Sequence, residues 1–220
     1  MWCIPRLTDE YIERMEHLLD LYARPYNPEE PVVCFDEKSK QLLSDTRVAL
    51  PMREGKVKRS DYEYRRVGTR NIFCAVEPLA GKRCVVVTTR RTKKDFARYL
   101  QYVVALYTDA LKIHLVCDNL NTHFPPSFFE TFSKEEAERI LSRIEFHYTP
   151  KHASWLNMAE IEIGVLSQQC IKGRIPTAST LRRKINAWQL ARNREEKKID
   201  WRFTTEKARE KFKYSATELN

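Results

Sequence analysis

Residues 112–123 read KIHLVCDNLNTH, and the architecture turns on this stretch. Ile113 to Cys117 are nearly all apolar without alternation, as expected of a strand covered on both faces. The strand runs directly into Asp118. Upstream, Phe96, Tyr99, Leu100, Val103, Val104 and Tyr107 share one face of a helix over 94–108, and a helix feeding a buried strand predicts a parallel crossover. Before that helix stand three strand-like runs, PVVCF (31–35), GTRNIFCAVEPL (68–79) and GKRCVVVTTR (81–90), the last two joined through Ala80 and Gly81 as a hairpin. A basic segment from Pro51 to Val67 separates the first two. An amphipathic helix bearing Tyr11, Ile12, Met15, Leu18, Leu19 and Tyr22 precedes them and stops at Pro25 and Pro28. Downstream, Ser133 with Glu136 forms a capping-box signature for a helix to Arg143, and IEFHY (144–148) reads as a fifth strand. Helices over 154–171 and 180–194 follow. The expected fold is α/β, a mixed five-stranded sheet with helices on both faces.

Asp36 follows PVVCF as Asp118 follows IHLVC, so both carboxylates are expected where a strand leaves the core, the place where ligands collect in α/β sheets. On residue type alone the pair also suits helix N-caps or turns. A third acid alters the weighing. Glu160 borders the core-facing stripe of the helix after the last strand, whereas Glu162 turns about 200° away, so that its replacement by Ala is expected to be mild for catalysis. Three clustered carboxylates repel one another unless cations intervene, and hard oxygen donors are what Mg²⁺ or Mn²⁺ prefers. A pair of such ions activates a nucleophile on one side of a phosphorus and stabilises the leaving oxygen on the other.

This strand order, with Asp on the first strand, Asp after the fourth and an acid on the later helix, resembles the RNase H-like fold of DDE transposases and integrases. More narrowly, VCFDEKS (33–39), LVCDNLNTH (115–123), YTPKHASWLNMAEIEIGVLSQQC (148–170) and IDWRFTTEKAR (199–209) resemble the mariner-like superfamily in its bacterial insertion-sequence branch, over about Trp2 to Tyr214. The resemblance implies a DNA transposase or endonuclease that hydrolyses phosphodiesters and transfers strands. It also implies Asp36, Asp118 and Glu160 as the carboxylates holding two Mg²⁺ or Mn²⁺ ions. Asn119, His123, His152, Trp155 and Asn157 then become candidates for supporting the triad or touching DNA, although each residue type equally serves as a cap or turn. The two histidines with an Asp could instead mark a transition-metal site, which this chemistry does not require. Family members typically begin with helix-turn-helix modules; this sequence begins about one helix before the first catalytic strand, so that region is expected to be absent.

Charge agrees with a polyanionic partner. The 220 residues carry 39 Lys/Arg against 30 Asp/Glu, a net charge of +9. The excess is concentrated: residues 53–94 hold 13 basic against 4 acidic side chains, and residues 172–220 hold 14 against 6. Both blocks carry aromatics, as surfaces for nucleic acid do. Arg182, Arg183 and Lys184 are the candidate DNA-binding residues, with Trp188, Trp201 and Phe203 expected to pack their segment onto the core. The chain therefore divides into a catalytic domain, 1–171, and a basic helical C-terminal extension, 172–220. Double-stranded DNA is the expected partner, with a homodimer as the active form. No apolar run approaches the roughly 20 residues of a membrane span. The six cysteines, at 3, 34, 74, 84, 117 and 170, show no zinc spacing, and Cys34, Cys74, Cys84 and Cys117, which fall inside apolar runs, read as reduced core residues of a cytoplasmic protein. Two other readings remain: a truncated DNA-binding relic that interferes with full-length transposase, and a general RNase H-like nuclease, which the Trp-Leu-Asn-x-x-Glu motif disfavours.

Overall fold

A computed structural model describes residues 7–57, 59 and 61–214; Trp2, Cys3 and residues 215–220 lie outside them. The order of elements is α1 (Asp9–Ala23), β1 (Val32–Asp45), β2 (Tyr64–Glu77), β3 (Lys82–Thr88), α2 (Lys93–Leu106), β4 (Ile113–Cys117), α3 (Pro126–Phe129), α4 (Lys134–Leu141), β5 (Ile144–Tyr148), a 3₁₀ turn (Ser154–Leu156), α5 (Met158–Gln169), α6 (Ala178–Arg194) and α7 (Thr205–Phe212). The five strands form one mixed sheet in the order β3-β2-β1-β4-β5. β1 pairs antiparallel with β2 and parallel with β4, and β4 pairs parallel with β5, as the crossover reading required.

Period-two alternation divides the core between the two faces. Val33, Phe35, Phe73, Ala75 and Leu115 lie beneath α2, α3 and α4. Cys34, Val76 and Val116 face α1, the start of α5 and α7, and Cys74, Val85 and Val87 face the rest of α5 and α6. Cys34, Cys74, Cys84, Cys117 and Cys170 are free and buried, as small hydrophobes in a packed interior are.

The first strand corrects one expectation. It does not end at Phe35 but continues to Asp45, so Asp36 lies within β1, opposite Cys74. Residues 37–45, EKSKQLLSD, lack apolar alternation because backbone pairing with β2 and a few outside contacts hold them. Lys40 Nζ donates to the carbonyls of Ile171 and Gly173 at 2.8 and 3.0 Å, and Leu43 N–H donates to Ile175 O at 2.9 Å. The helix expected over 154–171 is likewise broken: Asn157 caps α5, its side chain accepting from Ala159 N–H at 3.1 Å.

Residues 172–214 wrap the sheet. β3 is an edge strand whose free backbone groups meet side chains of α6: Gln189 accepts from Val85 N–H at 2.8 Å, and Asn193 accepts from Arg83 N–H and donates to Arg83 O at 2.9 and 2.8 Å. This closes an edge otherwise open to pairing. Gly81, at φ +66°, turns β2 into β3 so close to the backbone of Glu196 that a Cβ would stand 2.4 Å from it. α7 docks on α1 through the bidentate Arg209–Glu16 pair, at 2.8 and 2.9 Å. Trp201 and Phe203 pack against the α1 cluster and Trp188 against the α6 cluster, in line with the packing expectation.

Candidate active site

The parallel ladder sets Asp36 beside Asp118. β1 and β4 run in register as Val32↔His114, Val33↔Leu115 and Cys34↔Val116, and two residues further along this register are Asp36 and Asp118. β4 has ended at Cys117, so Asp118 leaves the sheet where β1 continues. Glu160 comes from the first turn of α5, which packs on β1 and β2, and its side chain is exposed.

Asp36 registers the crowding. Burial, together with the negative charges of Glu160, Asp118 and Glu37, pushes its carboxyl up to about 7, against the opposing hydrogen bond from Glu37 N–H at 2.7 Å. Among the described residues no cationic side chain pairs with it. A mostly buried carboxylate lacking a cation, facing two further carboxylates, fits Mg²⁺ or Mn²⁺ and not a soft-ligand metal. The three do not close around a single point, since the one three-residue cluster with donors within 4.8 Å among the described residues lies elsewhere.

His123 is brought to the site, by contacts the sequence did not announce. Its Nδ1 lies 2.5 Å from Asp118 Oδ1 and its Nε2 lies 2.9 Å from Glu37 Oε2. Burial alone would lower its pKa, but the two carboxylates outweigh it and raise it to about 9, so the ring is an imidazolium donating through both nitrogens. Its plane packs edge-on to Phe35 at 5.1 Å. Glu37, 5% exposed in its side chain, was missed. The available signal was its place two residues after Phe35, on the same inward face of β1.

Asn157 donates through Nδ2 to Phe35 O at 2.8 Å, joining the helix of Glu160 to the strand of Asp36. Trp155 stacks edge-on against Phe203 at 5.5 Å and lines an open groove of about 750 Å³ with Glu160, Ile161, Trp201, Lys211 and Phe212. Trp201 and Phe203 thus serve both packing and the groove wall. Asn119 is exposed, and His152 occupies an exposed turn with φ at 63°, a left-handed conformation. Neither side chain makes a hydrogen bond or ion pair with the three carboxylates. Arg182, Arg183 and Lys184 are exposed on α6, between the buried Leu181 and Ile185.

Glu162 does turn away from Asp36, but not into water. It is fully buried, taking Arg192 Nε and Nη2 at 2.8 and 3.1 Å, with Arg83 Nε at 2.8 Å from its Oε1. That last contact is Coulombic and not a directed hydrogen bond. The helix phase therefore stands, and what it did not announce is the burial: α5 is clamped through Glu162 between β3 and α6, and a phase read from one segment does not show the second.

A family model described as DDE superfamily endonuclease matches residues 31–182, which include all three carboxylates. The chain belongs to that family. No curated protein matches the sequence significantly. Among solved structures, this family member is similar to the Mos1 mariner paired end complex with Mn, with a TM-score of 0.58 at 15% identity, covering 100% of this chain and 65% of that one. It is similar also to the Mos1 strand transfer complex, with a TM-score of 0.56 at 13% identity over 100% and 64% of the two chains. The Mos1 transposase paired-end complex with left transposon end gives 0.53 at 16% identity over 87% and 58%. At these identities the likeness establishes the fold alone, an RNase H-like mixed five-stranded sheet with helices. The chain spans about 65% of the length of the solved chain it matches first.

Proposed function

We propose that the chain is the catalytic domain of a mariner-like DNA transposase, of the bacterial insertion-sequence branch, which hydrolyses phosphodiesters at transposon ends and transfers the freed strands. The observation that carries this is the register placing Asp36 beside Asp118, with Glu160 facing Asp36 from α5. These three would hold two Mg²⁺ or Mn²⁺ ions. When bound, the ions supply Lewis-acid activation of a water or 3′-hydroxyl and charge stabilisation at the leaving oxygen. The chain's own part is positional. His123 fixes the carboxylate of Asp118, and Asn157 fixes the start of α5 against β1. The exposed Arg182, Arg183 and Lys184 of the 172–220 extension take the backbone of double-stranded DNA. The Mos1 structures are paired-end and strand-transfer complexes, which supports a homodimer holding two DNA ends. Free buried cysteines support a reducing, cytoplasmic setting.

The test is nicking and strand transfer on supercoiled plasmid with Mg²⁺ or Mn²⁺. Asp36→Ala, Asp118→Ala and Glu160→Ala should each lose activity to background. Asp118→Ala cutting at the wild-type rate would overturn the assignment.

A further inference from the structure

Outside the active site, the parallel ladder of β4 and β5 builds a second cluster of donors. His114 pairs with Glu145, and Val116 pairs with His147. Residues 145 and 147 are two apart, so both project from the same face of β5 as His114 does from β4. This is the α1 face of the sheet, to which Val116 also belongs. His114 Nδ1 and His147 Nε2 lie 2.9 Å apart, and Glu145 sets one carboxylate oxygen 3.6 Å from the first and the other 3.5 Å from the second. All donors fall within 4.8 Å of one another. A tetrahedral ion with bonds of about 2.0–2.1 Å separates its ligand atoms by about 3.3 Å, so the observed spacings bracket what a bound ion needs.

We propose that His114, His147 and Glu145 form a site for a first-row divalent cation of the Zn²⁺ type, separate from the carboxylate triad, clasping edge strand β5 to β4. Two imidazoles and one carboxylate are a borderline donor set, unlike the all-carboxylate triad, so the two sites select different metals. Coordination takes the neutral form of each ring, and burial of both rings favours that form. His147 Nδ1 lies 2.8 Å from His17 Nε2 on α1. With Nε2 committed to a metal, Nδ1–H donates to that ring, as the far nitrogen of a ligating histidine does. Glu145 is half exposed, at 51%, which leaves the fourth position open to water.

The experiment is Zn²⁺ titration of the whole chain in excess Mg²⁺, which occupies hard-oxygen sites, read by calorimetry and by imidazole ¹⁵N chemical shifts. One equivalent should bind, raise Tm and move the ring resonances of His114 and His147. Glu145→Gln, at a half-exposed position, should weaken binding by more than about tenfold, and His17→Ala by about ten- to a hundredfold. Failure of Zn²⁺ to bind, or binding that leaves both ring resonances unmoved, overturns the site. The shift measurement needs no variant, and nicking by the triad is not its readout.

Discussion

The side-chain amide of Asn157 donates to the carbonyl oxygen of Phe35 at 2.8 Å, so the residue capping the Glu160 helix also holds the strand residue preceding Asp36. Asn157→Ala removes the cap and leaves a buried carbonyl unpaired, a combined cost of about 2–4 kcal/mol. Asn157→Ser restores the cap alone. Urea denaturation should rank wild type above Ser and Ser above Ala, with plasmid nicking per folded molecule reduced in both variants. A Ser variant with full nicking would show that the cross-link does not position the acids.

Glu160 and Glu162, two residues apart, should part company under substitution. Glu162→Ala strands Arg83 and the buried end of Arg192, and breaking such a cluster from one side costs about 3–5 kcal/mol. Glu160→Ala removes an exposed carboxylate that adds to the repulsion on Asp36, so its Tm should match wild type while nicking disappears. Thermal melts of the two variants side by side check this, and equal melting temperatures would contradict the buried clamp.

Both aspartates were legible because an apolar run ending in Asp is a local signal, and the strand partners follow from right-handed α/β connectivity. The arm of β1 was not, since EKSKQLLSD shows no periodicity and is ordered by its neighbours. Arg83, Glu162 and Arg192 meet from three elements, so no spacing announces them. His123 was read as a candidate, but its double engagement of Asp118 and Glu37 rests on a side chain from the β4–α3 connection reaching back under the sheet edge. Glu37 was hidden beside Asp36, where a second acid reads as solvated.

Docking of α7 should weaken in acid. The hydrogen bonds from Arg209 hold Glu16 below its usual 4.5. A depressed carboxylate contributes stability that is present above the unfolded value and lost as pH falls through the folded one. The loss therefore begins below about pH 4.5. The pair is partly exposed, so the contribution is at most about 1 kcal/mol. Glu16→Gln should lower stability at pH 7 by that amount and flatten this part of the acid limb in urea titrations. An unchanged acid limb would mean the contact is not made in solution.

Gly81 tests the fit of the C-terminal segment on the hairpin. Its left-handed φ acts together with the crowding that a side chain would meet, since an added Cβ would stand 2.4 Å from the backbone of Glu196. Gly81→Ala should destabilise by more than about 1 kcal/mol. Gly55 offers a comparable φ of +67° in open space, and Gly55→Ala should cost less. Equal losses in chemical denaturation would remove the close approach as the cause.

Arg182, Arg183 and Lys184 stand exposed on α6 while Leu181 and Ile185 hold the helix to the core, so their charge is free to meet phosphate without disturbing the packing. Each Lys or Arg contact to DNA phosphate releases condensed counterions, making log K fall with log salt at a slope set by the number of contacts. Reversing all three to Glu should weaken DNA binding at low salt and reduce that slope by up to about one unit per lost contact. Fold and triad should be untouched, because the hydrogen bonds from α6 to β3 run through Gln189 and Asn193 and not through these three side chains. Filter binding across a salt series measures the slope, with circular dichroism as the control for folding. A folded triple variant whose slope equals that of the wild type would place the DNA path elsewhere, with the second basic block, residues 53–94, as the next surface to reverse.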